Sequence, residues 1–561
     1  KLKDAELSYR KAIELNPDYA IAHSNLGSIL RELDKLKDAE LSYRKAIELN
    51  PDFAVAHSNL ANVLKDLGKL KDAELSYRKA IEIKPDLAEA HSNLGSILRE
   101  FDKLKDAELS YRKAIALNPD FAVAHSNLAN ILKDLGKLKD AELSYRKAIE
   151  IKPDLAEAHS NLGVLMQDFG KLKEAEISNR KAIKLKPDYA EAYSNLGNIL
   201  KDFGKFKEAE ISYRKAIEIK SDLAEAHSNL GALLKDCGKF KEAEISNRKA
   251  IELSPNLGSA YYNLSVLNSL YDNKSWQDSL FSESILKNQR EEDLVDIYFA
   301  RANVLEVNYN FSQASHLLQK ANNLNRNIYG SNYFDIKQKI DISYHKILEE
   351  KKIDLNQVNN FLIPIFIVGL PRSGKTITEA ILACNNKVIK CGENNLALEK
   401  SIKIYLEAKK KEPYPNFSKI FFDNLDADIF GKSFICFTNP MNFINTGLIA
   451  SQLPTAKVIY CFRNPLDNIK ELYKKNMGAK HKYSCSLVES ANLFIEVYFL
   501  MKEYQERYKS KIYFLNYDDL VTNTGEEIKN LIDWLGWENN NKYLEPNLDP
   551  TTIKITRKID Q

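Results

Sequence analysis

The chain has 561 residues, 44% hydrophobic and 28% charged, with 81 Lys and Arg against 78 Asp and Glu for a formal net charge of +3. At roughly 150 residues per domain this length predicts three to four folded units unless repeats draw one of them out. The composition excludes a collagen-like or compositionally disordered chain, and the near-balance of charge excludes a protein that acts mainly by coating nucleic acid.

The chain opens at Lys1 in mid-pattern, so it reads as a piece truncated at its N-terminus, and a missing leader carries no weight. A unit of the form KLKDAELSYRKAIELNPD then returns every 34 residues, at Lys1, Lys35, Lys69, Lys103, Lys137, Lys171, Lys205 and Lys239, so that eight units end at Asp272. Each holds two short amphipathic helices: Pro51-Asp52 opens one, Gly68 ends it in a left-handed conformation, and Lys69 opens the next. A helix pair cannot bury its apolar face alone, whereas stacked pairs can, so a right-handed α-helical solenoid is expected.

Leu26, Gly27, Ala39, Tyr43, Ala46 and Pro51 sit where tetratricopeptide repeats place their packing residues, and residues 1–272 resemble that family throughout. Residues 273–326 read as degenerate capping helices and 327–361 as a linking helix. The periodicity changes at 362, where an α/β domain is expected to run to 561, truncated at its C-terminus. Its apolar run 361–370 is about half of the ~20 residues that span a bilayer and holds Pro364, so no membrane association is expected. Short β-rich runs at 363–368, 388–389, 433–437, 457–462 and 511–516 alternate with helical stretches, which predicts a parallel sheet with its ligand at the carboxyl ends of the strands. The cysteines, Cys237, Cys384, Cys391, Cys436, Cys461 and Cys485, form no CxxC pair, which points to reduced thiols rather than zinc or disulfides.

The first strand runs into Gly369-Leu-Pro-Arg-Ser-Gly-Lys-Thr376 and then a helix, the context a phosphate cradle needs. Gly369 and Gly374 let backbone N–H groups face an anion, while Arg372, Ser373, Lys375 and Thr376 add donors. The loop satisfies the nucleotide triphosphatase pattern GxxxxGK[ST] and also resembles the 5′-phosphosulfate loop of sulfotransferases. A triphosphatase wants a strand ending in a magnesium-binding acid, yet 457–462 ends in Arg463-Asn464-Pro465 and 433–437 in Thr438-Asn439. The stretch from Val458 to Asp467 resembles the sulfotransferase strand and RxPxD turn, 512–521 its late Y[DE]DLV strand with Tyr517, and 531–536 its FLG helix end. The resemblance implies a P-loop-like fold that binds 3′-phosphoadenylyl sulfate, with Arg372, Ser373, Gly374, Lys375, Thr376, Arg463 and Tyr517 around the donor, and no metal.

Within that family, Lys387-Val-Ile-Lys-Cys-Gly-Glu393 looks most like the tyrosylprotein sulfotransferases and their bacterial repeat-containing relatives. That likeness makes Glu393 the base, Arg372 and Lys375 the clamps, and a hydroxyl of a polymeric acceptor, plausibly protein tyrosine, the target in a bacterial cytoplasm. The sequence departs from the family at Lys375, Thr438 and Glu471, and its tail 553–561 lacks the expected serine. A nucleotide triphosphatase and a peptide-binding scaffold with an inactive second domain stay open as alternatives.

On the first helix of each repeat Asn25, Asn59, Asn93, Asn127, Asn161, Asn195, Asn229 and Asn263 recur at the groove-facing position, and the ladder resembles that of the protein O-GlcNAc transferase repeats. Asparagine bonds both N–H and C=O of an extended peptide. Six residues later stand Arg31, Lys65, Arg99, Lys133, Lys201 and Lys235, broken by Gln167, and together they predict a basic channel for an extended, acidic peptide or protein. The column His23, His57, His91, His125, His159 and His227 is expected to pack between helices, because histidines one repeat apart cannot converge on one ion.

Overall fold

The computed structural model describes residues 1–267, 275–287, 289–349, 362–393, 396–408, 416–425 and 432–544; Asp272, the segment 350–361 and the tail 553–561 lie outside them. The chain divides into two compact units, Lys1–Asp202 and Phe203–Gln561, and the division falls inside the repeat array.

The first unit consists of repeated helix pairs such as Ala54–Asp66 and Leu70–Ile83. Pro51 fixes the turn before the first helix of that pair, and the His57 ring bonds the Pro51 carbonyl at 3.0 Å. The turn at Gly68 then takes φ +75°, the left-handed conformation expected there. Asp34 and Asp102 adopt φ 59° and 56° at the same point of their repeats. Inside four of the pairs a buried tyrosine, Tyr43, Tyr77, Tyr111 or Tyr145, fills the space between helices, and Asn179 takes that place in the pair Ala156–Asp168 and Leu172–Leu185. A Cβ on Gly27 would lie 2.9 Å from the Tyr43 ring as that ring stands, whereas Ala61 and Ala129 occupy the equivalent position in the repeats of Tyr77 and Tyr145. The tyrosine hydroxyls find partners on the facing helix, Ser28 at 2.8 Å for Tyr43 and Asn62 at 2.6 Å for Tyr77. Successive repeats are tied by ion pairs such as Lys69–Glu40 at 2.7 Å and Lys137–Glu108 at 2.7 Å.

The second unit begins with further repeat helices, Phe206–Ile219 to Gly258–Leu267, and a longer pair, Glu291–Val307 and Phe311–Tyr329. A five-stranded parallel sheet follows: β1 (Ile363–Val368), β2 (Val388–Lys390), β3 (Phe434–Phe437), β4 (Lys457–Phe462) and β5 (Ile512–Asn516), in the order β2-β3-β1-β4-β5. The strands fall within a residue or so of the apolar runs in the sequence. Alternate side chains feed two cores, as a strand period of two dictates. Phe366, Val368, Ile435, Tyr460 and Ile512 pack on one face, and Ile365, Ile367, Cys436, Ile459 and Leu515 on the other. Ile336 and Ile340 of the helix Tyr333–Glu349 enter the first core, so that helix covers the sheet as well as leading to it.

The longer helix pair is fastened to the loop that follows the helix Pro465–Tyr473. Asn322 Nδ2 donates to the Tyr473 carbonyl at 2.9 Å, Asn325 Nδ2 to Asn476 Oδ1 at 3.1 Å, and Asn476 Nδ2 to Asp296 Oδ1 at 2.7 Å. Lys474 pairs with Glu306 at 2.8 Å and Arg326 with Glu489 at 2.7 Å.

Candidate active site

In this strand order the chain leaves β1 toward β2 on one side and later crosses to β4 on the other, so the loops after β1 and β4 diverge at the carboxyl end of the sheet. Such a switch point is where an open α/β sheet opens a crevice for a ligand. The turn after β1 is tightly shaped. Gly369 takes φ 137°, Arg372 67° and Gly374 95°. A Cβ at Gly369 would lie 2.1 Å from the Cys461 carbonyl oxygen on β4, and one at Gly374 would lie 2.4 Å from the Tyr517 ring. The turn delivers the chain into the helix Lys375–Ala383, whose N-cap is Gly374, so the partial positive charge of the helix start faces the crevice.

The Tyr517 ring stands against both the turn that carries Arg372 and the Arg463 guanidinium. Arg463, at the end of β4, stacks over the Tyr517 ring at 5.3 Å. Burial raises the Tyr517 hydroxyl above its ordinary value, and Arg463 and Arg372 both lie near enough to pull it back. Two polar groups here are buried and without a hydrogen-bond partner, Ser373 Oγ and Arg463 Nε. Buried polar atoms left unpaired are costly, so orphaned donors in a phosphate-type turn fit a ligand with anionic oxygens. Acids stand close by as well: Asp518 and Asp467 lie 3.9 and 4.0 Å from Arg463, and Arg372 Nη2 meets Glu471 Oε2 at 3.3 Å.

Lys375 is turned inward. Its ammonium donates to the Leu370 carbonyl at 2.8 Å, and burial pushes it down to about 8. Thr376 is exposed at the turn. Glu393 is exposed too, its main chain held by Asn439 Nδ2 at 3.1 Å, and its charge reaches Lys375. Sequence reasoning missed Glu379, a carboxylate one turn into the helix that accepts from Gly392 N at 3.2 Å and that burial raises above its ordinary value. It also missed Asn468, whose Nδ2 donates to the Pro371 carbonyl at 3.0 Å and clips the next helix to the turn. A lone acid or amide on a helix gives no signal of such a partner 13 or 97 residues away.

Residues 364–541 match the profile of the sulfotransferase family, and tetratricopeptide-repeat profiles match eight stretches between residues 8 and 257, among them 27–68, 61–100, 129–170 and 197–238. The chain joins tetratricopeptide repeats to a sulfotransferase-family domain. An uncharacterized protein of Aquifex aeolicus (strain VF5) is 27% identical over 265 residues, 43% of this chain and 34% of its own length, so the chain spans about a third of that relative. Among solved structures, YrrB, described as a TPR protein with an unusual peptide-binding site, is 28% identical with a TM-score of 0.29, over 33% of this chain and 95% of its own. PilF of Pseudomonas aeruginosa is 21% identical with a TM-score of 0.33, over 36% and 92%.

In the tetratricopeptide repeats of the first unit the ladder asparagines are half-buried and partly engaged with the neighbouring repeat. Asn93 donates to Asn62 Oδ1 at 3.2 Å and Asn195 to Ser160 Oγ at 3.1 Å. The cation column differs from expectation, because it is not a bare basic stripe. Arg31 pairs with Asp66 at 2.7 Å, Lys65 with Glu100 at 4.0 Å, Arg99 with Asp134 at 3.1 Å and Lys133 with Asp168 at 3.5 Å, each acid standing 35 residues on. Gln167, the break in the column, bonds Asp202 at 2.7 Å in the same way. The histidines of the column each bond the carbonyl six residues back, such as His23 to Pro17 at 2.9 Å. In the second unit Tyr261 does the same to Pro255 at 3.1 Å, so the column ties down the turn before each first helix. Among the described residues, no three His, Cys, Asp or Glu side chains gather to hold a metal ion, and no helix is long and apolar enough to cross a membrane.

Proposed function

We propose that the chain is a sulfotransferase that moves a sulfuryl group from 3′-phosphoadenylyl sulfate to a hydroxyl of a polymeric acceptor, plausibly a protein tyrosine, recruited by the repeats. The observation that carries the reading is Arg463 stacked on Tyr517, a ring that also abuts the turn of Arg372, with Ser373 Oγ and Arg463 Nε buried and unpaired. The donor supplies an activated sulfuryl group on a phosphate leaving group. Ser373, Gly374 and Thr376 would hold its 5′ side, and Arg463 and Tyr517 the nucleotide's other phosphate. Arg372 and Lys375 would stabilise charge on the transferring oxygens and the departing phosphate. Glu393 would take the acceptor's hydroxyl proton as the new O–S bond forms and the S–O bond to phosphate breaks.

An extended peptide is the acceptor form that the asparagine ladder suits best. Preference for an acidic peptide has weaker support, since the cation column carries its own acids. The free thiols are consistent with a reducing cytosol.

Calorimetry with adenosine 3′,5′-bisphosphate tests the donor assignment. The full chain should bind it, and Arg463→Ala should weaken binding by two orders of magnitude or more; unchanged affinity in that variant would refute the assignment. Glu393→Gln should keep the nucleotide and lose roughly 10²–10⁴-fold in transfer to a tyrosine peptide.

A further inference from the structure

The phosphate turn holds an anion of its own making. Arg372 Nη2 lies 3.3 Å from Glu471 Oε2, and the two side chains are 35% and 29% exposed, so water reaches the pair and a ligand can too. Glu471 belongs to the helix Pro465–Tyr473, and Asn468, one turn earlier, is bonded to the Pro371 carbonyl. The turn and the helix are thus held together at two points, of which only the Arg372 contact is ionic and exposed.

Further cations gather around this carboxylate. Burial works against its charge, yet Arg372, Lys475 and Lys474 together hold the Glu471 carboxyl below the ordinary carboxylate range. Lys474 has its own acid, Glu306, at 2.8 Å. Lys475, four residues after Glu471 and just past the end of the same helix, has none within ion-pair distance among the described residues. Burial, and then Arg372, Lys235 and Lys474, push its ammonium down, while Glu471 pulls it back up. A cluster so rich in cations is stable only while an anion sits in it, and in this structure Glu471 is that anion.

An incoming phosphate or sulfate group makes the same contact with Arg372 and would meet Glu471 as a like charge. With the displaced carboxylate on a second cation, each cation keeps an anion: Arg372 the ligand, and the second cation Glu471. We propose that Glu471 is a resident anion which Arg372 surrenders when an anionic ligand enters the turn, and that Lys475 is the cation that receives it. Glu471 is then a positioning residue that keeps Arg372 in place while the turn is empty and sets how tightly an anion must bind to displace it. The inference rests on the donor reading above only for the identity of the ligand.

The test is calorimetry on the full chain with two probes, adenosine 3′,5′-bisphosphate and inorganic pyrophosphate. Glu471→Gln keeps the shape and removes the competing charge, so both probes should bind about tenfold more tightly, while the protein melts at a lower temperature because the cluster has lost its counter-ion. Lys475→Met should weaken binding about fivefold in the wild-type background and have little effect beside Glu471→Gln, a non-additivity that two independent sites would not show. If Glu471→Gln binds both probes no better than the wild type, or more weakly, Glu471 is a fixed clip and the proposal falls, whatever the nucleotide affinity says of the donor. If pyrophosphate tightens in Glu471→Gln while the bisphosphate binds neither protein, the release mechanism stands and the donor assignment falls. Additive effects of the two substitutions would remove Lys475 from the mechanism.

Discussion

The repeats of the first unit and the turn after β1 in the second use the same polar residue types in opposite ways. In the repeats Arg31, Lys65, Arg99 and Lys133 each meet an acid at a fixed step, and the buried tyrosines Tyr43, Tyr77, Tyr111 and Tyr145 each bond a serine or asparagine. In the turn Ser373 Oγ and Arg463 Nε are left without partners and Lys375 bends back onto a loop carbonyl. The repeats spend these polar groups on holding the stack together, whereas the unpaired ones beside the turn are left free to bond a ligand.

Substitution can break this contrast, and the largest effects should come from the packing that the repeats depend on. Tyr77→Ala removes a fully buried ring and should cost about 3–5 kcal/mol in denaturant unfolding of the repeats. Tyr77→Phe, which loses only the bond to Asn62, should cost about 1 kcal/mol. A comparable loss is expected from Gly369→Ala, whose Cβ would drive into the Cys461 carbonyl: roughly 3 kcal/mol or more, with loss of nucleotide binding by calorimetry.

Next in size is a pH effect confined to the turn. Burial holds Lys375 at about 8 against an ordinary value of 10.5, so between these pH values the unfolded chain keeps a proton that the folded chain has released. Stability therefore rises with pH across that window. Lys375→Met should flatten the rise by roughly 1–3 kcal/mol in denaturation midpoints measured from pH 8 to 10.5. Gly68 sharpens the comparison with Gly369: both have positive φ, but nothing lies within 4 Å of a Cβ at Gly68. Gly68→Asp should cost about 1 kcal/mol or less, because Asp34 and Asp102 already occupy that conformation. Smallest of all is Arg31→Ala, which breaks a largely exposed ion pair and should shift unfolding by about 0.5 kcal/mol or less.

The fold was largely legible because its signals are local. A 34-residue period, a proline before and a glycine or aspartate after most first helices, and apolar runs bounded by turns are enough to set helices and strands within a residue or two. The turn from Gly369 to Thr376 was legible for the same reason, since strand, small residues and helix follow one another along the chain. Partnerships across the chain were not. The acids facing the cation column look like ordinary helix-end residues in sequence, so the channel read as more basic than it is. The histidines read as packing residues because their target, a carbonyl six residues back, has no side-chain signature. Glu471 stood out as an acid in an anion site, but its contact with Arg372, 99 residues away, and the nearness of Lys475 needed coordinates.

The fastening of Asn322 and Asn325 onto Tyr473 and Asn476 has a bearing on how such a chain can vary. The grip on the loop comes from the longer helix pair and from the last 34-residue unit, whose Tyr262 hydroxyl accepts from Asn476 N at 3.4 Å. Modules farther upstream can then be gained or lost by recombination without disturbing that seam, so the length of the array can diversify while the joint stays fixed.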